Sequence, residues 1–233
     1  MDVTAMKRRR LTALPALLAA LTAACGPASA PVRSAGSEVP AAEAAPPAAE
    51  SPAPSSCSRG VVRDDGSVET GYGFVPSATF GEYVQELSAG ELPSREVRKV
   101  CVCFLKSRGE RDADFEVVFY QAAGGRPAEE PYATVAGSAA DLPQKVAEAG
   151  RFYEVDVSEV TVPEGVSYVG ARWDPSAARF LFICTDQSEG NAPTRVFFRE
   201  DRAPGWTSVA DAKDPIFRGH RAVLVRVEAA PAP

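Results

Sequence analysis

Histidine is almost absent from this sequence. His220 is the only one among 233 residues. A single histidine excludes the multi-histidine metal centres and forces any Ser-His-Asp triad through one side chain. His220 lies in Arg218-Gly-His-Arg221 with no nucleophile motif elsewhere to match it, so it reads as a surface or strand-edge residue. Also missing are a Gly-x-Ser-x-Gly elbow, a phosphate-cradling Gly-x-x-x-x-Gly-Lys and a His-Glu-x-x-His pair. Basic charge is in short supply. Lys and Arg total 25 against 31 Asp and Glu, a formal net charge of -6, whereas a nucleic-acid binder carries a basic footprint.

The N-terminus has its own character. Lys7-Arg8-Arg9-Arg10 precedes Leu11–Ala24, 14 residues without charge, and then Cys25. A basic start, a short apolar run and small residues at its end form a secretory signal peptide over 1–24. The run is shorter than the roughly 20 apolar residues of a spanning helix. Ala23-Ala24-Cys25 resembles the lipobox of bacterial lipoproteins, with Thr22 where that family prefers leucine. The resemblance implies cleavage before Cys25 and lipidation of its thiol, which tethers the chain to a membrane without crossing it. Gly26 is not the aspartate that, in this family, retains a lipoprotein at the inner membrane, so the outer membrane or cell surface is the expected location. Cleavage after Ala28-Ser29-Ala30, giving a free secreted protein, is the competing reading. Removing 1–24 takes away four basic residues and one acidic one, leaving 21 against 30, a charge of -9.

Residues 25–56 form a linker. Of the 31 residues from Gly26 to Ser56, 25 are Ala, Pro, Ser or Gly and none is aromatic. Such a segment cannot bury enough apolar surface to offset its chain entropy. Its prolines interrupt every helical run and favour extended conformations. It reads as a disordered stalk.

From Cys57 to Glu228 the pattern changes to short apolar runs separated by Gly, Pro, Asp and Ser clusters. Strands are predicted at 68–74, 96–105, 115–120, 132–135, 152–157, 166–173, 180–184, 195–199, 206–209 and 222–227. Phe115, Val117 and Phe119 share one face; Val169, Ala171 and Trp173 share another that points to the core. Residues 80–87 fit either a helix or a strand, and 141–149 fit a short helix. About ten short strands without alternating long helices make an all-β antiparallel β-sandwich or barrel. Residues 229–233 read as a disordered tail.

Four cysteines remain after Cys25: Cys57, Cys101, Cys103 and Cys184. An even number in an exported domain predicts two disulfides. Cys101 and Cys103 lie two apart on a strand and face the same way, so one is expected to reach Cys184 and the other Cys57. Cys-x-Cys with two distant single cysteines matches no common zinc spacing, and no metal or other cofactor is expected.

Candidate ligand groups are sparse. Tyr72 lies between Gly71 and Gly73, neighbours small enough to leave its ring open; Trp206 follows Pro204-Gly205 at an expected hairpin. Both are candidates for a ligand-binding aromatic platform. Asp112, Asp114 and Glu116 share one face if extended, but lack the spacing and glycine of a calcium loop. Asp64, Asp65 and Glu69 form a second acidic group, more simply read as a tight turn at Asp65-Gly66. Carboxylates suffice for some hydrolases, but 30 of them discriminate nothing.

Taken in order, Asp65-Gly-Ser-Val-Glu69, Gly71-Tyr-Gly73, Asp114–Tyr120, Phe152–Asp156, Tyr168–Trp173, Gly205-Trp206 and Arg221–Val227 resemble the jelly-roll-like β-sandwich modules of secreted bacterial proteins. The resemblance implies a non-catalytic binding or adhesion module for a glycan, an envelope component or a protein, with no catalytic residue. The alternatives are a carboxylate-dependent extracytoplasmic hydrolase and a structural envelope lipoprotein without ligand.

Overall fold

The runs of β-branched and aromatic residues form antiparallel strands, as their alternation dictates. The computed structural model describes residues 60–107, 109, 112–143, 150–188, 194–201 and 205–232, all within the compact unit Glu50–Pro233. The signal peptide, Cys25, the stalk and Cys57 lie outside the described residues.

In chain order the strands are β1 (Thr70–Tyr72), β2 (Gly81–Ser88), β3 (Val97–Lys106), β4 (Ala113–Ala123), β5 (Arg126–Pro127), β6 (Ala133–Ala139), β7 (Arg151–Asp156), β8 (Val166–Trp173), β9 (Leu181–Asp186), β10 (Val196–Glu200), β11 (Thr207–Ser208), β12 (Ala222–Val223) and β13 (Val225–Ala229). The ambiguous segment 80–87 resolves as strand β2. It is paired on both sides, with β8 and β10, and its alternate side chains bury on both faces of the sheet. The expected helix at 141–149 lies largely outside the described residues. Among those residues, no helix is long and apolar enough to cross a membrane.

The strands make two sheets. In the first, β3 carries β7 on one edge and, in succession, β13 and β9 on the other; β1 closes the far side of β9, and β12 continues beside it. The second runs β11-β10-β2-β8-β4, with β5 and β6 also pairing with β4. The sheets pack face to face over one core, in which Phe104 of the first sheet meets Phe115 and Trp173 of the second at ring-centroid distances of 4.9 and 5.7 Å. Phe115, Val117 and Phe119 point into this core, as do Val169, Ala171 and Trp173. Close packing of this kind supplies most of the domain's stability.

The outer face of the second sheet is also covered. Val84, Val118, Tyr120, Tyr168, Phe197 and Trp206 form a second apolar cluster. Within it Glu82, fully buried, accepts hydrogen bonds from Tyr120 Oη at 2.8 Å and from Arg199 Nε, while the Arg199 guanidinium lies 4.4 Å from the Trp206 ring centroid. Burial raises the Tyr120 hydroxyl well above its ordinary pKa, which keeps it a donor to Glu82.

Candidate functional site: a carboxylate cluster at the end of β9

Asp64 to Glu69 leads into β1, and two features fix its path. Arg226 of β13 grips the Asp64 carboxylate with two guanidinium nitrogens, Nε at 3.1 Å, in a nearly fully buried pair. Asp64 Oδ1 also accepts from Gly66 N at 3.0 Å, closing a turn in which Gly66 has φ +87°. A side chain there would be strained, so the turn calls for glycine. The turn presents Asp65 and Glu69 on its outer side.

Antiparallel pairing supplies the third acid. Thr70 of β1 lies opposite Thr185 of β9, which brings Glu69 beside Asp186. Glu69 Oε2 accepts from Gln187 N at 3.0 Å, and Asp186 accepts from Ser188 N at 2.7 Å and from Asp65 N at 3.3 Å. Oxygens of Asp65, Glu69 and Asp186 all lie within 4.8 Å of one another, the first two residues exposed and Asp186 buried.

Two serines stand between these acids. Ser67 Oγ lies 2.5 Å from Asp65 Oδ1 and also contacts Glu69 Oε1. Ser188 Oγ lies 2.9 Å from Asp65 Oδ2 and 3.2 Å from Glu69 Oε1. Each hydroxyl has one proton to donate, so two protons serve four short oxygen–oxygen contacts. A cation among these oxygens would convert the remaining lone-pair contacts into attraction. Hydrogen bonds from the Ser67 hydroxyl, the Ser67 backbone and the Ser188 hydroxyl hold the Asp65 carboxyl below its usual range, so it is ionised at neutral pH. The donor set, three carboxylates and two hydroxyls, is all oxygen, the chemistry of a hard cation such as Ca²⁺.

The aromatic candidates fare differently. Tyr72 is fully buried, its ring packed against Tyr83 and Phe217 and its hydroxyl 3.1 Å from His220 Nδ1. The flanking glycines do not open it to solvent, because Tyr72 points into the core while Phe182 of β9 lies over Gly71 and Gly73. Trp206 is 7% exposed, pressed on Tyr120 and Arg199, and donates from Nε1 to Ala128 O at 3.0 Å. The expected exposure of both rings is therefore corrected: each spends its surface on packing. His220 is part-buried, not a surface residue, and burial lowers its pKa to about 4.

Cys103 and Cys184 form a disulfide across β3 and β9, with Cα atoms 5.3 Å apart. Cys101 is disulfide-bonded too. Of the triplet at 112–116, Glu116 pairs with Arg172 at 2.7 Å and Asp112 Oδ1 accepts from Asp141 N at 3.1 Å, so these two acids serve different local contacts. The residue that sequence reasoning missed is Asp186. Its signal was the β1–β9 register, which joins residues more than 100 positions apart and is invisible in a local motif.

These features define an all-β domain of two packed antiparallel sheets with an oxygen-rich carboxylate cluster at one strand end. No protein-family model, no curated protein and no solved structure matches the chain.

Proposed function

We propose that this is an exported β-sandwich domain whose working centre is the Asp65–Glu69–Asp186 cluster, holding one hard divalent cation and acting as a carboxylate-dependent extracytoplasmic hydrolase. The observation that carries the reading is the convergence of three carboxylates, with oxygens within 4.8 Å, at a surface that two of them share with solvent. A cation there would supply Lewis-acid polarisation of a water or a substrate oxygen. Asp65 and Glu69, both exposed, and Asp186, buried and fixed by two backbone N–H groups, would hold it. With Tyr72 and Trp206 both packed away, the aromatic adhesion platform loses its support and the carboxylate reading gains.

A second reading has its own observation. Asp65 is held ionised, which suits a ligand to a cation better than a proton-donating acid. On that reading the loaded site binds its target without hydrolysing it, as a cation-dependent binding module for a glycan or envelope component. The jelly-roll strand order, the signal peptide, lipidation of Cys25 and display on the 25–56 stalk at the outer membrane or cell surface complete the proposal; the Ala23-Ala24-Cys25 sequence supports the anchor.

Calorimetric titration of the protein with Ca²⁺, beside Asp65→Asn and Glu69→Gln, tests the centre. Saturable binding in the parent that both substitutions abolish is expected; identical heats in all three would overturn it. Chromogenic glycosides and phosphoesters, assayed with and without chelator, separate the readings. Chelator-sensitive turnover supports hydrolysis, while binding without turnover supports the module.

A further inference from the structure

A cleft of ≈ 840 Å³ with a different chemistry includes Arg221, whose N donates to Asp186 O at 2.9 Å. Its walls are the β4–β5 hairpin tip, the start of β10, and the chain from Ser208 to Arg221. That volume is in the range of small-molecule sites. Five cationic side chains line it: Arg126, Arg195, Lys213, Arg218 and Arg221. Two acids, Asp211 and Asp214, line it as well, and Asp214 Oδ1 is engaged by Ile216 N at 3.0 Å. In a chain with net charge -6, this local excess runs against the balance of the whole.

The cations are also poorly answered. Arg195 contacts Glu86 at 3.4 Å and donates to Gly125 O at 2.7 Å. Arg126, Lys213, Arg218 and Arg221 form no ion pair among the described residues, although acids are the commonest charged residues of this chain. Arg221 goes further: its Nε is buried with no hydrogen-bond partner, a donor that costs free energy unless something accepts from it. The walls are fixed independently of any ligand. Gly125 O accepts from Tyr168 Oη at 3.1 Å as well as from Arg195, and Thr194 N donates to Arg221 O at 2.6 Å. Gly124 and Gly125, at φ +60° and +78°, make the tight hairpin turn that carries Arg126 to the rim.

We propose that this cleft is a binding site for a multivalent oxyanion, a ligand bearing two or more phosphate or carboxylate groups. Guanidinium groups present forked donors that match such oxygens in pairs, and several of them around one cleft favour a ligand with several anionic groups over a lone chloride or monovalent acid. The proposal stands on its own residues and does not depend on a cation binding at the carboxylate cluster.

The test uses the protein titrated calorimetrically with tripolyphosphate and with citrate, at low and at high salt. Saturable one-site binding of at least one of them, weakened by salt, is expected. Arg126→Gln with Arg218→Gln, both exposed and away from the core, should weaken it at least tenfold. Arg98→Gln, an exposed arginine on β3, should leave it within twofold. Absence of binding by both anions would overturn the proposal, and so would an equal loss in Arg98→Gln, which would mark unspecific attraction to surface charge. Thermal unfolding of each variant identifies any that has failed to fold; Arg126→Ser with Arg218→Ser then replaces the double variant.

Discussion

Replacing Arg199 by Met should destabilise the domain far more than an ordinary surface substitution. Arg199 sits on β10 directly opposite Glu82 on β2, and Glu82 is fully buried. The substitution leaves an apolar side chain near Trp206 but removes the only cation that Glu82 bonds among the described residues. The carboxylate is then left with the Tyr120 hydroxyl alone. An uncompensated buried charge costs about 3–5 kcal/mol, a large share of the roughly 5–15 kcal/mol that holds a domain folded. For a domain of this size, about 2–4 °C per kcal/mol translates that into a melting temperature lowered by roughly 10 °C. Glu82→Gln should cost less, because the amide keeps its place between Arg199 and Tyr120 and the guanidinium keeps Glu129 at 3.5 Å. The double variant should therefore be more stable than Arg199→Met alone, with a coupling of about 1–3 kcal/mol. Urea unfolding followed by tryptophan fluorescence reads all four proteins. A loss under about 1 kcal/mol in Arg199→Met, or a double variant no better than it, would refute the view that the arginine is there to neutralise Glu82.

Stability should fall as pH drops from about 6.5 toward 4, in part through His220. Its folded pKa is lowered to about 4 by burial first and by Arg221 besides, with Asp186 opposing, so the unfolded chain binds the proton first and the contribution present above pH 6.5 is lost below it. At ~1.36 kcal/mol per unit this reaches about 3 kcal/mol; His220→Asn should flatten that part of the profile, and a histidine resonance titrating near 6.5 would contradict it. Cys103→Ala with Cys184→Ala should cost about 2–5 kcal/mol in thermal or urea unfolding, since the bridge joins residues 81 apart; a smaller loss would show that the β3–β9 ladder holds the pair unaided. Cys25→Ser should release the protein from membranes into the soluble fraction, and unchanged pelleting would argue against the lipid anchor.

The strands were legible because the core reads as alternation. Phe115, Val117 and Phe119 bury one face of β4, and Val169, Ala171 and Trp173 one face of β8, and both patterns stand in the sequence as period-two runs. Segment 80–87 was ambiguous for a physical reason. Tyr83 and Leu87 point to the main core while Glu82 and Val84 are buried on the opposite face, so burial on both sides erases the polar half of the alternation. The outer apolar cluster was hidden in the same way. Val118 and Tyr120 fall on what looks like the solvent side of β4, until Trp206 and Arg199 of other elements cover them.

The candidate sites were less legible because each depends on pairing between remote segments. Asp65 and Glu69 look like turn residues until the β1–β9 register sets Asp186 beside them, and no local spacing announces that register. Packing between the sheets explains why Tyr72 misled. Its ring points into the main core against Tyr83 and Phe217, while Phe182 of β9 covers Gly71 and Gly73 on the opposite face of the strand. The strand that pairs with β1 delivers Asp186 two residues past the Cys184 bridge, and Arg221 of the basic cleft donates from its N to Asp186 O at 2.9 Å. Both charged sites therefore take their positions from one strand end, which the Cys103 disulfide, the β1 pairing and the β12 pairing hold from three directions. Loosening that end should disturb both sites together, whereas the Arg199–Glu82 pair, on the outer face of the other sheet, can be altered without touching either.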